Sequence, residues 1–259
     1  MDNVEPELAR DMSGLRLVLT TGVPGPWGEA AKGVFYVKEI DYVPVRQTAS
    51  EPNEALVAWT GHRNAPQAIL DDEPARIGWE EILMLAERMA PEPSLIPGDP
   101  RDRVLMFGLA HEICSEDGLG WNRRHQLLAP MLSAPDADTN PAMAGTRILG
   151  RSYGFRPEAL ARADERIVQI LGVFSEQLAQ QHAAGREYLV GDALSAVDIY
   201  WATFAAMIRP LPAELCPMPD FMRTAYGTLP PTVTPAVDEA LLAHRDLVYE
   251  RHLQLPLVF

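Results

Sequence analysis

The sequence predicts a small mixed α/β domain followed by a larger all-helical one. Strand and helix patterns alternate through about the first ninety residues, the order expected of a mixed sheet flanked by helices. Four prolines then crowd "APEPSLIPGDP" at 90–100, which reads as a linker. Beyond them strand patterns almost stop and helical periodicity takes over. The boundaries read as a structureless lead at 1–14, an α/β domain at 15–90, a linker at 91–98 and a helical domain at 99–259.

"LRLVLT" at 15–20 has the apolar density of a strand. A helix is expected from Glu29 to Lys38, because Ala30, Ala31, Val34 and Phe35 share one face and Glu29 suits its electropositive start. "DYVPVRQ" at 41–47 is a second strand, with Pro44 marking an edge or a bulge. "NEALVAWTG" reads as a short helix, 67–70 as a strand, and the acidic turn after it as leading into another short strand. "WEEILMLAERM" at 79–89 is an amphipathic helix.

In the second domain, Asp99 before Pro100 is a cap followed by proline at the first helical position, with Asp102 in the first turn. Met106, Leu109, Ala110 and Ile113 form the buried stripe of that helix. A long helix opens at Pro157 and lines up Leu160, Ile167, Leu171, Phe174 and Leu178. "LSAVDIYWATFAAMI" is a third helix and 236–253 a fourth.

The chain of 259 residues is 47% hydrophobic and 22% charged, enough for a substantial core. A net charge of −14 disfavours nucleic acid and anionic membrane as partners, since both attract positive charge. The two cysteines, Cys114 and Cys216, are distant and read as reduced thiols. "MDNVEPELARDMSG" is too acidic for a leader, and the longest apolar run, 196–208, carries an Asp and is short of a membrane span. A cytoplasmic protein is the expectation.

Several motifs have plainer readings than the chemistry they suggest. "GRSYG" at 150–154 matches GxSxG, but no strand precedes it and Pro157 opens the helix too late for a nucleophile elbow, so a loop is expected. "GVPGPWG" at 22–28 is GxxGxxG, not a dinucleotide fingerprint, and its prolines remove amides that would face phosphate. The histidines at 62, 111, 125, 182, 244 and 252 form no HExxH, and His111 with Cys114 is short of a zinc site, so no metal is expected. Ser195 and Asp198 in "SAVD" form a capping box, with Leu194 and Ile199 as a hydrophobic staple, at the start of a buried helix. In "NAP" at 64–66 the proline is either a β-edge residue or a cis-proline turning an amide toward a ligand.

Taken in order over roughly residues 15–255, these pieces resemble the cytosolic glutathione transferases, with "YLVGDALSAVDIYWA" as the most specific match and "NAPQAIL" resembling the family's cis-proline element. The resemblance implies a thioredoxin-like N-terminal domain and an all-helical C-terminal domain. It implies glutathione as co-substrate, held by Asn64, Ala65 and Pro66 and by the segment with Arg76, Gly78 and Trp79. Gly78 and Trp79 stand where the family usually has Glu-Ser, leaving Arg76, Glu80 or Glu81 and the helix amides to take over. The family's Cys or Ser positions fall on Gly25, Trp27 or Gly28, and its Tyr near Thr21. Thr21 and Trp27 are therefore the candidate catalytic side chains, with the amides of residues 28–30. His111, Trp121 and the C-terminal tail are the candidate walls for a small hydrophobic electrophile. A homodimer is implied. The alternative is a binding protein for an apolar ligand or partner on the same scaffold.

Overall fold

The computed structural model describes residues 2–49 and 51–259. Its first domain carries α1 (Pro6–Ala9), β1 (Leu15–Thr20), α2 (Pro26–Val37), β2 (Val43–Gln47), α3 (Glu54–Thr60), β3 (Gln67–Leu70) and α4 (Trp79–Met89). The sheet order is β2-β1-β3, with β1 parallel to β2 and antiparallel to β3. The central strand is buried through Leu19, which explains its near-continuous apolar run.

Three expectations for this domain are corrected. The lead is ordered over its described residues, residue 1 lying outside them. Val4 bonds to Pro44 O and Arg46 N, extending the β2 edge, and α1 drops Ala9 into a core with Val18, Val45, Leu56 and Ile69. Two small apolar residues in an acidic stretch suffice to cap an otherwise open sheet edge. The short strand expected after the acidic turn is a single bridge, Ala68 with Arg76. And α2 starts at Pro26, ahead of Glu29, because proline is preorganised for the first helical position. The Ala65–Pro66 bond is cis, which decides between the two readings of "NAP".

The linker is clamped rather than loose. Buried Lys38 donates to the carbonyls of Ala90 and Pro93 at 2.7 and 2.9 Å and pairs with Glu87 at 2.7 Å. Beyond it lie α5 (Pro100–Cys114), α6 (Leu119–Leu132), α7 (Ala144–Ser152), α8 (Pro157–Ala183), α9 (Ala196–Phe204), α10 (Asp220–Gly227) and α11 (Glu239–His252). Asp99 caps α5 through the amides of Arg101 and Asp102. Of these helices, α6, α7 and α10 have no counterpart in the sequence reading. In α6 the polar run "NRRH" masks the pattern, because Asn122, Arg123 and His125 are buried polar residues rather than a solvated face.

Every residue of α9 is buried, and it packs on α2, α5 and α11, joining the two domains. Its start is satisfied internally by Asp198. The carboxylate accepts from Ser195 N and Oγ, both at 2.9 Å, from Leu189 N at 2.8 Å, and lies 2.8 Å from His244 Nε2. The reach-back half of the capping box is present, while the Ser195 hydroxyl turns to the carboxylate.

Candidate functional site

A cleft opens where the start of α2 meets the helical domain. It is lined on one side by Asn3, Thr20, Gly25, Gly28 and Ala65, and on the other by Arg124 and Tyr153. Its cavity volume is about 60 Å³, below the usual range for small-molecule sites, so a ligand would lie largely in its open mouth. Its chemistry begins with the α2 N-terminus. Pro26 has no N–H and the amide of Glu29 is already bonded to Gly25 O at 2.9 Å. The orphan donors of the first turn are therefore those of Trp27 and Gly28, not 28–30 as expected from the sequence. They favour a bound anion; a Cβ on Gly28 would lie 3.3 Å from Leu19 Cδ2, so the glycine lets α2 pack closely on β1.

Trp27 is placed here but in a different role from the one expected. Its indole N–H donates to Cys114 O at 2.9 Å, and its ring packs on Phe204 and Tyr153 with centroids 4.8 and 5.6 Å away. A Cβ on Gly120 would lie 2.8 Å from that ring, so α6 seats the indole tightly. The donor is thus spent on joining the domains. Thr21 lies just outside the lining; its hydroxyl is met by Asn3 Nδ2 at 3.3 Å, and Asn3 itself lines the cleft. Thr20 lines it too, with its hydroxyl donating to Gln47 Oε1 at 2.7 Å.

Of the expected peptide-binding residues, Ala65 faces the cleft. Asn64 offers its carbonyl to Gln67 Nε2 at 2.6 Å. Arg76 is held by Glu73 and by Pro74 O. Trp79 turns into the domain interface, with its indole N–H on Ser115 Oγ at 2.9 Å and its ring against Tyr200. The amides of Ile77 and Gly78 are not free for a ligand, because Glu81 Oε2 accepts both, at 2.9 and 3.0 Å. Those two bonds, Gly78 first, hold the Glu81 carboxyl below its ordinary range.

On the opposite wall Trp121 stacks edge-on to Tyr153 at 5.1 Å, one layer behind the cleft. His111 is exposed on α5 and does not line it. The tail does reach the site: Lys32 donates to Val258 O at 2.7 Å and Phe259 lines the cleft. Burial pushes the Glu29 carboxyl up, partly offset by its ion pair with Lys32 at 2.9 Å. Both cysteines are buried and free; burial raises the Cys114 thiol well above its ordinary range and Cys216 to about 11. Neither is a nucleophile near neutral pH. Among the described residues no three His, Cys, Asp or Glu side chains gather as metal ligands, and no helix is long and apolar enough to cross a membrane.

The sequence reading missed Asn3, Arg124, Tyr153 and the Glu29–Lys32 pair. Tyr153 sits inside the "GRSYG" stretch, whose Ser152 belongs to α7 and accepts from Arg63 at 2.5 Å, a domain contact rather than an elbow.

Residues 157–235 match the family model for the glutathione S-transferase C-terminal domain. About nine-tenths of the chain superposes on solved structures described as glutathione S-transferases. One is a glutathione S-transferase from Rhodospirillum rubrum F11, with 18% identity, TM-score 0.55 and coverage of 92% of this chain and 88% of that one. The fold is that of the glutathione transferase superfamily. Within it, beta-etherase LigF from Sphingobium sp. strain SYK-6 shares 19% identity at TM-score 0.61, over 91% of this chain and 95% of that one. A glutathione S-transferase from Methylobacterium radiotolerans, in complex with glutathione sulfonate, shares 16% at TM-score 0.58 over 92% of each. No curated protein sequence matches. The glutathione transferase fold places α2 as the first helix after β1 and the cis-proline ahead of β3, so the cleft described above lies between its two domains.

Proposed function

We propose that the protein binds glutathione in this cleft and adds its thiolate to a small electrophile held against the helical domain. The presence of Trp27 and Gly28, whose amides have no acceptor within α2, in one cleft with Ala65 is the observation that supports it. A thiol placed at the α2 start loses its proton to solvent more readily, because the amide dipoles stabilise the sulfur anion. The sulfur lone pair then forms the S–C bond as the electrophile's leaving group departs. Holding both reactants in one cleft supplies much of the acceleration. No protein thiol takes part, so disulfide exchange through the polypeptide is not part of the reading.

A second reading, a ligand-binding protein without turnover, is favoured by one observation. Glu81 accepts from the Ile77 and Gly78 amides just ahead of α4, in the segment where the resemblance would seat the γ-glutamyl end. Isothermal titration with glutathione, followed by conjugation assays with chlorodinitrobenzene, separates the two. Binding with turnover above the uncatalysed rate supports the transferase; a silent titration at millimolar glutathione overturns it. A homodimer, as the family resemblance implies, belongs to the same proposal and is tested by sedimentation.

A further inference from the structure

Arg124, on the helical-domain wall of the cleft, is a cation without a counter-charge. Its Nε is shut off from water and has no hydrogen-bond partner. Among the described residues no carboxylate forms an ion pair with it, although the chain carries 36 acidic against 22 basic residues. Its neighbour in sequence shows what satisfaction looks like. Arg123 is buried and donates to the carbonyls of Met207, Tyr226 and Thr228 and to Gln126. The other cation in the cleft, Lys32, is neutralised by Glu29 and bonded to Val258 O.

The surroundings of Arg124 fix its plane without neutralising it. Its guanidinium carbon lies 5.3 Å from the Tyr153 ring centre and 6.0 Å from that of Trp27. Stacking on aromatic faces suits a guanidinium, and its polar neighbours, the hydroxyls of Tyr153 and Tyr226, are uncharged and leave its positive charge unbalanced. The matching partner is a carboxylate, and the rings beside it offer flat apolar walls to the carbon skeleton that carries one.

We propose that Arg124 binds the carboxylate of a planar ligand in this cleft, making the accepted co-substrate an organic acid rather than a neutral hydrophobe. The inference rests on the reading of the cleft as a ligand site. Glutathione also has carboxylates. Arg124 stands on the wall opposite Gly28 and Ala65, which favours the second reactant as the source.

Cinnamate and its uncharged amide, cinnamide, are the probes, titrated against the full chain by tryptophan fluorescence, with glutathione titrated separately. The expected result is acid binding about tenfold tighter than amide. Arg124→Gln brings the acid down to the amide's affinity, leaving the amide unchanged, and Arg124→Lys restores part of the difference. Loss of glutathione affinity in Arg124→Gln, without any acid–amide difference, keeps the carboxylate site but assigns it to the peptide. Equal affinity for acid and amide in the unaltered protein, or no binding of either, with glutathione affinity unchanged in Arg124→Gln, overturns the proposal. The acid–amide comparison does not involve glutathione, so a silent glutathione titration strikes the proposed function alone.

Discussion

The indole N–H of Trp27 donates to the backbone carbonyl of Cys114 across the domain boundary at 2.9 Å. A residue that the family resemblance places among the catalytic candidates is thereby a strut between α2 and α5. Trp27→Phe keeps most of the ring packing and strands the carbonyl, a loss of about 1 kcal/mol. For a chain of this size that lowers the midpoint of thermal unfolding by about 2–4 °C. Conjugation rate per folded molecule should stay within about threefold, since less than 1 kcal/mol of barrier is at stake. A melt combined with an activity assay checks both; a large fall in rate at unchanged stability would return Trp27 to the chemistry.

Asp198 carries more of the fold than its cap partner. With no exposed surface it accepts from two backbone amides and a hydroxyl and sits beside His244. Asp198→Asn puts an amide NH₂ against groups that already donate, and about 3 kcal/mol of stability should go. Ser195→Ala removes one hydroxyl donor and should cost about 1 kcal/mol. Urea unfolding ranks them: equal midpoints for the two variants would mean that the carboxylate is not the hub.

Much of this architecture is visible in the residues themselves. Asp99-Pro100, Pro157 and "SAVD" are local signals, each needing only neighbours in sequence, and each marks a helix start. The order of β1, α2, β2 and β3 follows from alternating periodicities. What escaped depends on distant partners. Arg123 and His125 look like a solvated stretch until the carbonyls of Met207 and Tyr153 are brought to them. The lead looks disordered until the β2 edge gives Val4 its bonds. Trp27 carries a free donor in the sequence and a spent one in the fold. The cleft's own cation, Arg124, gives no local signal because its meaning lies in the absence of a partner.

Glu81 accepts from the Ile77 and Gly78 amides, in the segment to which the family resemblance assigns a ligand carboxylate. Glu81→Ala should tighten glutathione binding several-fold, on the order of a surface-exposed dipole interaction, measured by calorimetry. The same carboxylate makes stability pH-dependent. Its folded pKa is held below the ordinary value of 4.5 by the Gly78 and Ile77 amides. Its contribution is therefore present in full above pH 4.5 and fades as pH falls through the lower folded value. Glu81→Gln should lower the melting point near neutral pH and lose that difference in acid. An unchanged gap between variant and parent across this window would dismiss the linkage.

On the proposed function, Asn3 is the cleft's side-chain amide and the donor that would serve the sulfur after the helix amides. Its Nδ2 meets the Thr21 hydroxyl at a long 3.3 Å, while its Oδ1 is shut off from water with no partner. A half-turn of the amide would bury Nδ2 in the place Oδ1 now holds, so the amide serves the cleft in its present orientation, with one N–H on Thr21 and the second left over. A hydrogen bond to an anion is worth about 1.5–3 kcal/mol, so Asn3→Ala should lower kcat/KM by about ten- to a hundredfold. Thr21→Val, which loses the hydroxyl that orients the amide, should have a smaller effect in the same direction. Asn3→Asp places a negative charge beside the sulfur and should raise the pKa of bound glutathione's thiol by about one unit, read from thiolate ultraviolet absorbance against pH. A thiol pKa that does not move in Asn3→Asp, together with full activity in Asn3→Ala, would leave the amides of Trp27 and Gly28 as the whole of the anion site.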